Sequence, residues 1–429
     1  MAEGAFVRRD LQGGVRVFHA PSKKFKTVAV RAYLHAPLLA EMATRTALVP
    51  HALARGTRAL PTLGDLARRC EELYGAGLGA GAAKIGEAQS LYVAVEAVEE
   101  RFLPKGARAV ADSLGLLREL LLDPARGADK QLRADVVAQE KENLAHRIQA
   151  LINDKIRYAS MRTIEEMCKG EPFGLHAYGR LEDLPKIDAA MVTARYEDLV
   201  AHAPVDVFAV GGDASLGDEI AAAFDLGRRE SAKLPQTTLG QAPKEPRRII
   251  EHQPVDQGKL CIGYRTPVRL GDSRHGALVM YNGILGGFPH SKLFRNVREK
   301  ASLAYYASSR YESLKGIVMI SSGIEPQRFD DALRITLEQV SDMAAGRISK
   351  DEFTSTVSGL RNRLRSAEDS PGAMIELAAE ESMVGTPRTV DERLDAISRV
   401  TDADVAAVAR DVHLDTIYFL TSAAEGAST

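Results

Sequence analysis

A chain of 429 residues is longer than one hydrophobic core usually serves, so two domains of about 200 residues each are expected. With 45% apolar residues, 27% charged residues and a formal net charge of -2, the composition is that of a soluble globular protein. It carries no bulk charge that would draw nucleic acid or a membrane surface. Cys70, Cys168 and Cys261 are widely spaced, form no C-x-x-C and cannot all pair. Each reads as a small buried hydrophobe, and a reducing cytoplasm suits them best. The start of the chain shows no charged-then-apolar secretory pattern, and the apolar run Leu114 to Leu122 is broken by Arg118 and Glu119. A soluble, cytoplasmic protein is expected.

In chain order, Val15 to Phe18 and Lys26 to His35 read as strands, with Val28, Val30, Ala32 and Leu34 alternating onto one face. Helical patterns follow near Thr44 to Ala54 and Leu63 to Leu73. The glycine-dense stretch Gly75 to Gly81 reads as a turn leading into a strand, and another strand follows at Ser90 to Val95. Val110, Ala111, Leu114, Leu117 and Leu121 mark an amphipathic helix that Asp123-Pro124 stops. A long charged helix is expected from Gln131 towards Met167, then a helix near Ala189 to Ala201 and the strand Val205 to Val210.

The same order recurs further on. Leu260, Ile262 and Tyr264 alternate as a strand, a helix spans His275 to Leu285, and Gly316 to Ser321 reads as a strand. An amphipathic helix places Phe329, Ala332, Leu333, Thr336, Leu337 and Val340 on one face, and Ser349-Lys-Asp-Glu352 forms a capping box for the next helix. A helix after Thr401 and the strand Thr416 to Leu420 close this half, as a helix and Val205 to Val210 close the other. The pattern predicts an α+β fold of two homologous domains, each an antiparallel sheet covered by helices. The domains are expected at 1–228 and 249–429, joined by a linker at 229–248 that holds Pro235, Pro243 and Pro246.

Several chemistries are absent from the text. No Gly-Lys-Ser/Thr ends the glycine stretch, so it is not a phosphate loop, and there is no G-x-S-x-G. None of the ten histidines lies three or four residues from another, and neither H-E-x-x-H nor H-x-x-E-H occurs. No catalytic zinc is expected on this chain.

The most specific text is Asn282-Gly-Ile-Leu-Gly-Gly287, Ser291-Lys-Leu-Phe294 and Val297-Arg-Glu-Lys-Ala-Ser-Leu-Ala-Tyr305. It resembles the C-terminal domain of the insulinase, pitrilysin and mitochondrial processing peptidase family. The resemblance implies a two-domain clamshell and, in the first half, an inverted zinc motif H-x-x-E-H shortly before a Gly-Thr pair. That pair is Gly56-Thr57, which places the motif on Ala47, Pro50 and His51. Alanine offers no ligand atom and proline no general base. His51 alone reads as a hydrogen-bonded or solvated side chain. The family's third ligand, a glutamate, falls near Asp135 to Glu142, with no single residue favoured.

The resemblance also implies that an arginine and a tyrosine seven residues later reach substrate; here they are Arg298 and Tyr305. A guanidinium and a phenol suit a carbonyl oxygen becoming an oxyanion. Outside this motif the same pair would read as a surface ion pair and a strand residue of the core. Tyr306, Arg310 and Tyr311 are explained by strand alternation. Lys26-Thr27, Ala36-Pro-Leu38, Ala47-Leu48, Arg55-Gly-Thr57 and Glu72-Leu-Tyr-Gly75 resemble the bacterial branch found beside a zinc-bearing relative. The implied function is a zinc-free subunit of a heterodimeric metallopeptidase that is inactive alone, with zinc on its partner and small or unfolded peptides as substrate. A homodimer stays open for the isolated chain, and neither nucleic acid nor membrane is an expected partner. The alternative is a non-catalytic scaffold or peptide-binding pseudopeptidase.

Overall fold

The computed structural model describes residues 4–423. The first half runs β1 (Val7–Leu11), β2 (Val15–Ala20), β3 (Thr27–Pro37), α1 (Ala40–Leu53), α2 (Leu63–Glu72), β4 (Gly77–Ile85), β5 (Ala88–Val98) and α3 (Ala109–Leu122). It continues through α4 (Ala134–Asn153), α5 (Lys155–Met167), α6 (Ala189–His202), β6 (Val205–Val210) and α7 (Leu216–Ala223). The second half runs β7 (Arg247–His252), β8 (Gly258–Arg265), α8 (His275–Asn282), β9 (Ala304–Glu312), β10 (Ile317–Ile324) and α9 (Phe329–Ala344). It ends with α10 (Lys350–Ala367), α11 (Pro371–Ser382), α12 (Val390–Ser398), α13 (Asp402–Arg410) and β11 (His413–Thr421).

The strands form two sheets, ordered β1-β2-β6-β3-β5-β4 and β7-β11-β8-β10-β9. With β1 set aside, the two orders correspond strand for strand, which is the duplicated α+β plan expected from the sequence. Each sheet is antiparallel except for one parallel pair, β2 with β6 and β7 with β11. No helix among the described residues is long and apolar enough to cross a membrane.

Two compact units result, and each takes a piece from the opposite half of the chain. The first holds residues up to Ile148 with Leu175–Gln236 and Ala367–Thr389, so it includes α11. The second holds Gln149–Gly174, Thr237–Ser366 and the chain from Val390 on, so it includes α5. The stretch expected to be a linker divides between them at Gln236 and Thr237.

In the first unit α11 lays Met374, Ile375, Ala378 and Ala379 on a sheet face made by Phe18, Tyr33, Phe208 and Val210. In the second, period-two alternation sends Leu260, Ile262 and Tyr264 to a core under α8, α9, α10 and α13, while Cys261 faces Ala159 of α5. Gly263 of β8 makes room for this helix, since a Cβ there would sit 2.6 Å from Met167 Sδ.

The long helix expected over Gln131 to Met167 is two helices. Asp154 breaks it by turning its carboxylate back onto the amides of Ile156 and Arg157, both at 3.2 Å, which caps α5. The capping box at α10 forms as its sequence implies: Ser349 N–H donates to Glu352 Oε2 at 2.8 Å and Glu352 N–H to Ser349 Oγ at 3.2 Å.

Candidate functional site

Helix α1 carries the degenerate motif. Ala47 and Pro50 are buried in it, and His51 is partly buried in its last turn. Arg55 follows one turn later and donates Nε–H to Glu140 Oε1 of α4 at 2.6 Å, with its Nη2 also on that oxygen. Asn143 Nδ2 donates to the same oxygen at 3.0 Å. Arg147, two turns along α4 on the same face, brings Nη2 to 3.8 Å from Glu140 Oε2. Glu140 is 2% exposed, so its charge depends on these cations. Among the acids of the expected range it is the buried one; Asp135 is exposed and pairs with Arg133.

Burial, and then the charge of Arg147, push His51 down to about 4, with Glu140 only partly opposing and Arg55 adding to the fall. The imidazole is therefore neutral at pH 7. The surroundings of this histidine are a carboxylate already bonded and two guanidinium groups. They do not suit a dication: one nitrogen ligand is present, the general-base position is proline, and the local charge is positive. Among the described residues no three His, Cys, Asp or Glu side chains gather as a metal site would require.

The second unit holds Arg298 and Tyr305. Gly283–Gly287 and Phe294–Lys300 are both π-helical turns, a geometry that recurs at functional sites. Gly286 is required where it stands, because a Cβ would lie 2.4 Å from the backbone nitrogen of Ser309 in β9. Asn282 fixes the same junction by accepting from Ser309 Oγ at 2.9 Å. Arg298 is exposed and lies with its guanidinium carbon 4.4 Å from the centroid of the Phe294 ring. It makes no ion pair with any described residue. Tyr305, the second residue of β9, is 57% exposed and its hydroxyl has no partner among the described residues. Among the described residues Arg298 therefore has no ion pair, and Tyr305 lies outside the core. Tyr306 is instead turned inward, and burial raises its pKa.

A serine, a histidine and an aspartate also line up in the first unit. Ser90 Oγ lies 2.8 Å from His35 Nδ1, and His35 Nε2 lies 3.1 Å from Asp206 Oδ2. Sequence spacing gave no hint of this chain of residues. They are 0%, 1% and 0% exposed, so no carbonyl can reach the serine. Burial pushes the Asp206 carboxyl up, but the bonds from His35 and Arg16 outweigh it and hold it at about 2. The trio belongs to the sheet interior.

Two units repeating one strand order, a first-half helix with one remnant of an inverted zinc motif, and an exposed Arg/Tyr pair after a glycine turn define an insulinase-like fold with an incomplete site. The profile described as "Peptidase M16 inactive domain" matches residues 218–360. Over 427 residues the chain is 36% identical to the "Probable inactive metalloprotease YmfF" of Bacillus subtilis (strain 168), covering 98% of both proteins. A conserved protein from Enterococcus faecalis V583 superposes with a TM-score of 0.90 at 29% identity, over 98% of this chain and 100% of that one. The peptidase M16 inactive domain from Pseudomonas fluorescens shares the fold, with a TM-score of 0.79 at 17% identity over 98% of each chain. The chain belongs to the M16, or insulinase-like, peptidase family.

Proposed function

We propose that this chain is the zinc-free subunit of a heterodimeric M16 metallopeptidase. It lends Arg298 and Tyr305 to a zinc-bearing homologue that cleaves small or unfolded peptides in the cytoplasm. One observation carries the reading: both side chains are exposed, and among the described residues neither makes a hydrogen bond or an ion pair. Redirecting Tyr305 breaks no hydrogen bond among the described residues, and redirecting Arg298 gives up only its contact with the Phe294 ring; at a substrate carbonyl both would stabilise charge developing on oxygen. Zinc belongs to the partner in this reading, since the surroundings of His51 hold no ligand set for it.

The test is reconstitution. The chain is mixed with the zinc-bearing homologue, and hydrolysis of an unstructured fluorogenic peptide is followed. Activity is expected only with both chains present. Tyr305→Phe is expected to lower turnover by on the order of 100- to 1000-fold without impairing assembly on gel filtration. Arg298→Lys keeps the charge but loses the planar fork, so it is expected to impair turnover too. Assembled complexes of both variants that cleave at wild-type rates would favour the other reading, a scaffold or peptide-binding pseudopeptidase.

A further inference from the structure

The cluster around His51 has a property that loss of ligands alone does not explain. Two substitutions, at Ala47 and Pro50, would suffice to spell the zinc motif again. A position that had merely lost those residues would be expected to keep an available carboxylate beside His51. Here the carboxylate present, Glu140, has one oxygen occupied by Arg55 and Asn143 and faces Arg147 with the other. The charged groups acting on His51 are Arg147, Glu140 and Arg55, so two fixed cations are set against one anion.

We propose that Arg147, supported by Arg55, takes the place of the metal charge in this unit and closes the position to zinc independently of the missing ligands. Glu140 is a buried carboxylate and needs a cation; Arg55 and Arg147 meet that need permanently. A dication arriving beside His51 would have to detach Glu140 from Arg55 and sit against two guanidinium groups that cannot deprotonate. Arg147 Nη1 is buried and has no hydrogen-bond acceptor among the described residues, so the site holds a donor where a metal would need an acceptor. Arg147 faces Glu140 Oε2 from two turns along α4, so its reversal would put a second acid in place of a cation beside the buried carboxylate. The inference stands whatever Arg298 and Tyr305 do, because it concerns metal binding by this chain alone.

The experiment measures zinc per chain after dialysis, and zinc affinity by competition with a chromophoric chelator. Folding is followed by circular dichroism. The double variant Ala47→His with Pro50→Glu is expected to remain zinc-free. Adding Arg147→Glu to it is expected to give one tightly held zinc per chain. Should that triple variant fail to fold, Arg147→Gln in the double background removes the charge without adding a ligand. It is expected to raise zinc affinity by on the order of 10- to 100-fold over the double variant, the range seen for changes just outside a metal's ligands. One retained zinc in the double variant overturns the proposal. So does a folded triple variant that stays metal-free, or an Arg147→Gln background with unchanged affinity.

Discussion

The two units solve one problem with the same parts but with different charges behind them. Each must hold a helix that reaches it from the other half of the chain, and each does so with an arginine on its first parallel strand. In the first unit Arg16 of β2 donates to Asp206 of β6 at 2.7 and 2.6 Å and to the carbonyl of Ser382, the last residue of α11, at 3.2 Å. In the second, Arg247 of β7 lies 3.4 Å from Asp415 of β11 and donates to the carbonyls of Glu166 and Met167, the last of α5, at 2.6 and 3.0 Å. Helix C-termini leave carbonyls without partners and carry partial negative charge, so a guanidinium satisfies both needs.

The difference lies in what stands behind the arginine. Asp415 also accepts from Arg265 at 2.7 Å; Arg265 bonds Glu171 at 2.6 Å, and Lys315 pairs with Glu171 at 2.6 Å. The groups behind the arginine are buried in both units: the side chains of Arg265, Lys315 and Asp415 are 4%, 0% and 0% exposed, and those of His35 and Asp206 are 1% each. The first unit relies on one aspartate backed by His35 and Ser90; the second uses a network of alternating charge. A duplicated fold has kept the clasp and changed its electrostatics.

The largest expected effect tests that difference directly. Asp415→Ala leaves the buried Arg265 without one of its carboxylates and is expected to cost about 3–5 kcal/mol in urea unfolding. Asp206→Ala is expected to cost less, roughly 1–3 kcal/mol, because Arg16 can turn to water. Hydrogen exchange locates the damage: amides of α5 should speed up in the first variant and those of α11 in the second. Equal loosening of both helices by either substitution would break the comparison.

Replacing the clasp arginines should give a smaller effect. Arg16→Met or Arg247→Met removes a partner from helix-terminal carbonyls and is expected to cost about 1–2 kcal/mol, with fraying confined to the last turn of the matching helix. Fraying at the opposite helix would show that the arginines do not act as end caps.

Acid should separate the units with the mildest change. His19, His51 and His176, all in the first unit, are held neutral by burial; the last two are pushed down to about 4, His51 with the help of Arg147 and Arg55 and His176 with that of Lys84. The unfolded chain therefore binds protons that the fold refuses. Stability is full above pH about 6.5 and falls as pH drops from there towards 4. Exchange measured at pH 7 and at pH 5 is expected to rise in the first unit more than in the second, where burial lowers His290. His51→Gln should remove part of the first unit's slope and leave the share of His19 and His176. An unchanged slope would mean that His51 is hydrated and titrates normally.

Much of the fold was legible because period and punctuation are local. Val28 to Leu34, the α3 stripe and the Ser349–Glu352 box each declare an element without reference to the rest of the chain. The repeated closing helix and strand likewise expose the duplication. The exchange of α5 and α11 was not legible: an apolar stripe such as Ile164 and Met167 says that a helix is covered, not by which sheet. β7 was hidden because Arg247–His252 is largely polar and joins β11 in parallel from an edge. The motif text singled out Arg298 and Tyr305, but their exposure is a property of the folded surface. Glu140 could not be told from Asp135 or Glu142 by residue type; only the face of α4 that meets Arg55 distinguishes it.

The exchanged helices also set a schedule for synthesis. By the time residue 228 has left the ribosome, every strand of the six-stranded sheet exists, yet the face of Phe18, Tyr33 and Phe208 has no cover. Its cover, α11, ends at Ser382, so the first unit cannot finish before most of the second has been made. The nascent chain carries an open apolar sheet face through that interval, the kind of surface that chaperones hold and that aggregates without them. For the same reason, a fragment cut at the linker and expressed alone would be a sheet missing its lid rather than a domain.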